Sequence, residues 1–312
     1  MLCLGMSKQG SIFVLTGCTA SGKTDWALRW AERNNAEIVS CDSLLFYRGM
    51  DIGTAKPTAE ERGRVPHHLI DICEVTDRMD VTYYVTNALR AVEAVTARGH
   101  RVLVTGGSGF YLKAFFSPVA DNVAVPAELR TEIAKQLEAK GLAALVTELS
   151  QLNPAGLGAL DLENPRRVVR ALERCRASGK TLAELADDFA KMPAPFEKWE
   201  VKLVRLDREP EELERRIAAR VETMLRAGLI EEVQRLIPAG LRQNLSAAKA
   251  IGYRETIEFL EGNLPRAALA EEIARNTRAL VKKQRTWFRT QLPAHKVVPA
   301  GGEVRLGELF AL

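Results

Sequence analysis

The chain has 312 residues, 46% of them hydrophobic and 27% charged, enough apolar material to fold as a soluble globular protein with one large core or two moderate domains. Its 44 Lys and Arg against 40 Asp and Glu leave a surplus of four, which by itself argues for no anionic partner. Five scattered cysteines (Cys3, Cys18, Cys41, Cys73, Cys175) offer no CxxC pair for zinc or redox chemistry and fit a reducing cytoplasm, while no apolar run approaches the roughly 18 residues of a membrane span. The six residues before Ser7 are too few for a signal-peptide core.

In chain order, the β-branched and aromatic run Ser11–Thr16 predicts a strand that enters a glycine-rich turn, and the periodic segment Lys23–Asn34 predicts a helix. Glu37–Cys41 reads as a second buried strand, Val81–Arg98 as a helix, and Arg101–Thr105 as a third strand broken at Gly106-Gly107. This alternation implies a parallel sheet. From Pro118 to about Lys198 the pattern changes to short helical stretches punctuated by prolines, which predicts a helical insertion. Val201–Leu206 then reads as a returning strand, followed by helices near Glu209–Ala227, Ile230–Ile237, Arg254–Leu260 and Arg266–Gln291. The expected organisation is therefore an α/β core over 1–117, an all-helical domain inserted over 118–199, and the remainder of the core over 200–312.

Gly17-Cys18-Thr19-Ala20-Ser21-Gly22-Lys23-Thr24 satisfies the pattern G-x-x-x-x-G-K-[ST] between a strand and a helix. Glycines let backbone N–H groups converge on a phosphate, the helix N-terminus adds positive potential, and Lys23 supplies a point charge. Thr24 is the candidate ligand for Mg²⁺. The loop predicts binding of a diphosphate or triphosphate without saying which. Asp42 follows the second strand directly and is expected at its carboxyl end, where open α/β sheets bind ligands. It is a magnesium ligand, a general base or a helix cap; spacing alone does not decide.

The segment from Asp42 to Pro57, DSLLFYRGMDIGTAKP, resembles the stretch after the phosphate loop in the tRNA dimethylallyltransferase family. His67–Asp71, Gly106–Tyr111, Asn164–Glu173, Ile251–Arg254 and Gln284–Arg289 also resemble that family's blocks, in its order. The resemblance implies a P-loop NTPase-like parallel sheet flanked by helices, with the inserted helical domain clasping an anticodon stem-loop. It implies transfer of a dimethylallyl group from dimethylallyl diphosphate to the exocyclic N6 amine of the adenosine 3′-adjacent to the anticodon. The loop would then cradle the diphosphate with Mg²⁺, Asp42 would act as the base, and Arg220 and Ser108 would complete the catalytic set. Cys18, Leu45 and Ser108 depart from the usual family residues, which are proline, glutamine and threonine.

Between Ile273 and Leu292 lie six basic residues and no acidic one. At about 100° per residue, Arg275, Arg278, Lys282, Arg285 and Arg289 share one helix face. Arg166, Arg167, Arg170 and Arg174 form a second basic set in the insertion. With the resemblance, the expected RNA contacts are Asp42, Ser43, Leu44, Leu45, Ser108, Arg130, Arg166, Arg167, Val168, Val169, Arg170, Ala247, Ala248, Lys249, Ala250, Ile251, Gly252, Arg278, Lys282 and Arg285. Leu44, Leu45 and Phe46 are candidates to pack on an extruded base or its neighbour, with ordinary core the competing reading for Phe46. His67 and His68, with no third ligand nearby in sequence, read as structural. A monomeric cytoplasmic enzyme is expected. The competing readings are a small-molecule kinase, a prenyltransferase acting on free adenine nucleotides, and an RNA-binding switch protein.

Overall fold

Residues that alternate between two cores explain the central strand. In the computed structural model, which describes residues 8–77, 79–301 and 306–311, Ser11–Gly17 forms β1. Its Ile12 and Val14 face one apolar cluster while Leu15 faces another, so the strand is buried on both faces, as parallel sheets require. Helix α1 (Lys23–Arg33), β2 (Ala36–Ser40), α2 (Ala59–Arg64), β3 (His67–His68), α3 (Val81–Ala97), β4 (Arg101–Gly106) and α4 (Gly109–Lys113) follow. Then come α5 (Ala127–Leu152), α6 (Pro165–Ser178), α7 (Leu182–Ala190), β5 (Glu200–Asp207), α8 (Pro210–Arg226) and α9 (Leu229–Leu236). Helices α10 (Leu245–Ala248), α11 (Tyr253–Leu260) and α12 (Arg266–Gln291) precede the edge strand β6 (Lys296–Pro299).

The sheet order is β3-β2-β4-β1-β5-β6, and every pairing is parallel. Helix α1 covers one face with Trp26 and Trp30, where Phe13, Trp30 and Phe310 form an aromatic trio with centroids 4.8–5.0 Å apart. The other face is covered by α3, α8, α11 and α12. The parallel order brings the carboxyl ends of β1, β2 and β4 to one edge. There Gly106 lies against the Cys41 carbonyl so closely that an added Cβ would sit 2.0 Å from that oxygen.

Residues 118–193 form a second compact unit with its own core of Ile133, Leu145, Leu149, Val168, Leu172 and Leu185. Helix α5 is broken at Gly141 (φ 75°, ψ 174°), and α6 opens on an Asn164 cap with Pro165 at its first turn. The insertion ends earlier than the expected residue 199. Phe196 and Trp199 are buried in the first unit's core, where Phe196 stacks on Phe115 at 4.2 Å.

The sequence reading did not identify α2, β3, α4, α10 or β6. Each is six residues or fewer, too short for a periodicity to register. Cys3 and the residues before Ser7 lie outside the described residues, and no described helix is long and apolar enough to cross a membrane.

His68 and His100 each bond the buried Glu37, at 2.6 and 2.7 Å, and Arg98 grips the same carboxylate through two nitrogens at 3.0 and 2.7 Å. Arg98 is the main cause that holds Glu37 down at about 2, below its ordinary 4.5. A depressed carboxylate stabilises the fold above its unfolded pKa and loses that contribution as pH falls. We therefore expect Glu37 to contribute about 2–3 kcal/mol at pH 6 that disappears between pH 4.5 and about 2, at about 1.4 kcal/mol per unit. Glu37→Gln should flatten this part of an acid-unfolding curve; an unchanged curve would place the acid lability elsewhere.

Candidate active site

The turn from β1 into α1 leaves its donors open. Among the described residues, Lys23 Nζ donates to the Cys18 carbonyl at 2.9 Å, Arg216 to that of Ala20 at 2.8 Å and Arg208 to that of Ser21 at 2.7 Å. The Thr19 N–H is committed to Gln284 Oε1 at 3.0 Å, whereas the N–H groups of Ala20, Gly22, Lys23 and Thr24 have no protein acceptor there. Helix α1 has no side-chain cap, and the buried Ser21 hydroxyl lacks a partner. Three cation-held carbonyls with neighbouring free amides make an anion cradle. Burial draws Lys23 from 10.5 down to about 8, against the pull of Asp42, and Arg220 adds to the lowering. Cys18 turns its thiol into the core beneath Val281, so at this position the loop offers only its backbone; burial pushes that thiol up.

Asp42 stands one residue past Cys41, whose N–H bonds Thr105 O on β4. Its Oδ1 accepts the Leu44 N–H at 3.0 Å, which fixes the carboxylate. Ser108 is tied to the next residue, because the Ser108 hydroxyl accepts the Ser43 N–H at 3.0 Å. The predicted pair Asp42 and Ser108 is thus brought together by the adjacent ends of β2 and β4.

Two spaces meet at Asp42. One is the phosphate-loop cleft of about 970 Å³, walled by Lys23, Thr24, Asp42, Leu45, Thr54 and Arg220. The other is a cavity of about 690 Å³ whose apolar wall is Leu44, Ile217, Val221, Met224, Ile273, Leu280, Trp287 and Phe288, with Asp42, Ser43, Ser108 and Arg220 on its polar side. Asp42 and Arg220 line both. Arg220, on α8, donates to the Thr54 carbonyl at 3.2 Å, and burial lowers its pKa while Asp42 opposes the shift. A polar cleft for phosphates, an apolar cavity and a carboxylate between them suit attack on a carbon attached to a departing phosphate group.

Magnesium fits this site only as a shared ion. Among the described residues no three His, Cys, Asp or Glu side chains converge as a protein cage. Thr24 and Asp42 line the same cleft, a sparse oxygen set of the kind Mg²⁺ uses when substrate phosphates and waters complete its octahedron.

Of the expected RNA contacts, Ser43, Leu44, Lys249, Ala250 and Ile251 line the cavity, Leu45 lines the cleft, and Ala248 packs partly buried beside them. Arg130, Arg166, Arg167 and Arg170 are exposed on the helical unit, with Arg167 4.0 Å from Asp161 and Arg170 3.3 Å from Glu173. On α12, Lys282 is exposed, while Arg278 pairs with Glu271 at 2.5 Å. Arg285 folds back onto Asp207 at 2.9 Å and the Arg208 carbonyl at 2.5 Å, which ties β5 to α12.

Five of the expected contacts need correction. The Val168 and Ala247 side chains are 0% exposed and belong to the cores of their units, so neither can touch RNA through its side chain. Val169 is half-buried against the same helical core, and Gly252 is buried with φ 94°, making a turn rather than a surface. Phe46 is core as well, 0% exposed and packed at 5.9 and 5.8 Å from Tyr84 and Tyr111. The aromatic that does reach solvent at the cavity rim is Phe110, 53% exposed. Gln284 was also missed in a role: it accepts from Thr19 and donates to the Gly107 carbonyl at 3.2 Å, joining the phosphate loop to the Ser108 loop. Its position in the Gln284–Arg289 block was the available signal.

The family pattern described as IPP transferase matches residues 45–291. A tRNA dimethylallyltransferase of Opitutus terrae is 66% identical over 297 residues, 95% of this chain and 95% of that protein. The crystal structure of a tRNA isopentenylpyrophosphate transferase from Bacillus halodurans superposes with a TM-score of 0.67 at 32% identity, covering 93% of this chain and 90% of the other. A eukaryotic dimethylallyltransferase acting on tRNA gives a TM-score of 0.80 at 23% identity, over 93% of this chain and 74% of its own, and bears on the fold alone. The fold is P-loop NTPase-like.

Proposed function

The chain belongs to the IPP transferase family, and from that premise we propose that it moves the dimethylallyl group of dimethylallyl diphosphate onto the N6 amine of the adenosine 3′-adjacent to the tRNA anticodon, releasing diphosphate. The observation that carries this reading is the position of Asp42, where a phosphate cradle opens into an apolar cavity. An adenine amine is a weak nucleophile, because its lone pair is delocalised into the ring, and it must lose a proton as the C–N bond forms. Asp42 takes that proton, Ser108 bonds the Ser43 amide beside it, and the apolar wall receives the prenyl carbons. Lys23, Arg220 and the loop amides stabilise the departing diphosphate. Thr24 would hold Mg²⁺ together with substrate oxygens, and the ion would supply further charge neutralisation for the leaving group.

The adenosine reaches Asp42 by leaving its stack, at about a few kcal/mol. Leu44 and the exposed Phe110 offer the rim against which it or a neighbour packs. Arg130, Arg166, Arg167 and Arg170 of the helical unit and Lys282 of α12 contact backbone phosphates, and the enzyme acts as a cytoplasmic monomer. Lys282→Glu should weaken stem-loop binding and lower the magnitude of the salt slope by about one. An unaltered slope in a salt titration would remove α12 from the interface.

The reading is tested by offering labelled dimethylallyl diphosphate and Mg²⁺ with an unmodified anticodon stem-loop, AMP and ATP in parallel. Label on the stem-loop alone is expected. Label on AMP or ATP would make this a free-nucleotide prenyltransferase, and no transfer with phosphate moved from ATP would make it a kinase.

A further inference from the structure

Glu232 on α9 is 1% exposed, yet it touches neither the cleft nor the cavity. Its Oε2 accepts the N–H groups of Asp51 and Ile52 at 3.0 and 2.7 Å; its Oε1 accepts that of Gly53 at 3.1 Å and the Tyr253 hydroxyl at 2.6 Å. A carboxylate taken out of water persists only where hydrogen bonds replace its hydration. Here nearly all of them come from one turn.

That turn leads straight into Thr54, whose residue lines both spaces and whose carbonyl holds Arg220. Tyr253 presses on the same turn: a Cβ on Gly53 would stand 2.5 Å from its ring. Arginine is long and flexible, so the place of its guanidinium depends on what anchors it. The only hydrogen bond Arg220 makes among the described residues is the one to Thr54. A displacement of about 1 Å of a charged group at a reacting centre can reduce rate about 10²-fold.

We propose that Glu232 and Tyr253 form a positioning unit for Arg220: they fix the Asp51–Gly53 turn, the turn fixes the Thr54 carbonyl, and that carbonyl aims the guanidinium at the diphosphate. Neither residue touches substrate. The proposal rests on the functional reading only in giving Arg220 a diphosphate to meet.

The test is a double-mutant cycle on the full chain, read by calorimetric binding of inorganic pyrophosphate with Mg²⁺ and by kcat and KM of prenyl transfer. Tyr253→Phe removes one hydroxyl and leaves the ring, so the melting temperature should fall by only about 2–4 °C. Pyrophosphate affinity should fall about fivefold and kcat about tenfold, with KM for the stem-loop unchanged. In an Arg220→Gln background the same substitution should cost nothing further in affinity or kcat, although its effect on melting persists. Equal losses in both backgrounds, or no loss in the wild-type background, would overturn the proposal. If the wild type binds pyrophosphate but transfers no prenyl group, the functional reading fails, and the binding cycle still decides this inference.

Discussion

Asp42→Asn is expected to lower prenyl transfer about 10²–10⁴-fold while leaving stem-loop affinity within about twofold. Asparagine keeps the carbonyl oxygen that accepts the Leu44 N–H at 3.0 Å, so the turn after β2, and with it Ser43 and Leu44 in the cavity wall, should hold its shape. What disappears is the capacity to take the amine proton and the negative charge facing Lys23. That charge opposes the lowering of Lys23, so without it burial draws the lysine further down. Pyrophosphate binding by the variant should therefore weaken with rising pH earlier than in the wild type, below about pH 8. Single-turnover transfer and filter binding separate the two effects. Restoration of most activity by raised Mg²⁺ would assign Asp42 to the metal instead, and unchanged turnover would remove it from the chemistry.

The cleft was legible because its parts are local. A phosphate loop is eight consecutive residues, and a carboxylate just past a buried strand must lie at the sheet's ligand edge; both follow from chain order and strand period. The apolar cavity was not legible as a cavity. Ile217, Val221 and Met224 on α8 and Ile273, Leu280 and Phe288 on α12 look like ordinary core faces, and only packing shows that they stop short of filling the space. The same limit explains Phe46 and Phe110: two aromatics near catalytic residues are equivalent in sequence, and burial sends one to the core and the other to the rim. Glu232 had no signal at all, being one glutamate in an amphipathic helix whose backbone partners lie about 180 residues away. Arg285 sat correctly on the basic face by its period, but the acidic end of β5 captures it, and no helical wheel contains β5.

Lys23→Met should remove pyrophosphate binding almost entirely, by about 10²–10³-fold, and yet make the ligand-free protein more stable at neutral pH. The lysine ordinarily titrates at 10.5, and burial lowers it to about 8, which means the folded chain holds the charge less readily than the unfolded one. A lowered lysine therefore destabilises the fold below pH 8, and this penalty lifts as pH rises from about 8 to 10.5, where the unfolded chain also loses its proton. The shift of roughly 2.5 units corresponds to about 3 kcal/mol, from which the lost bond to the Cys18 carbonyl subtracts about 1, leaving a gain of about 2 kcal/mol at pH 7. At pH 10.5 the gain should vanish or reverse. Melting curves at both pH values, with and without pyrophosphate, read every part of this. The wild type should be stabilised by the ligand and the variant should not, because the diphosphate supplies the counter-charge that the desolvated ammonium lacks. A variant less stable than the wild type at pH 7 would mean that the Cys18 bond outweighs desolvation, and a variant that still binds pyrophosphate would leave the loop amides and Arg220 as the principal anion holders. In the expected case the site is a place where stability has been exchanged for binding, which is what a desolvated cation held by a carbonyl in a phosphate cradle implies.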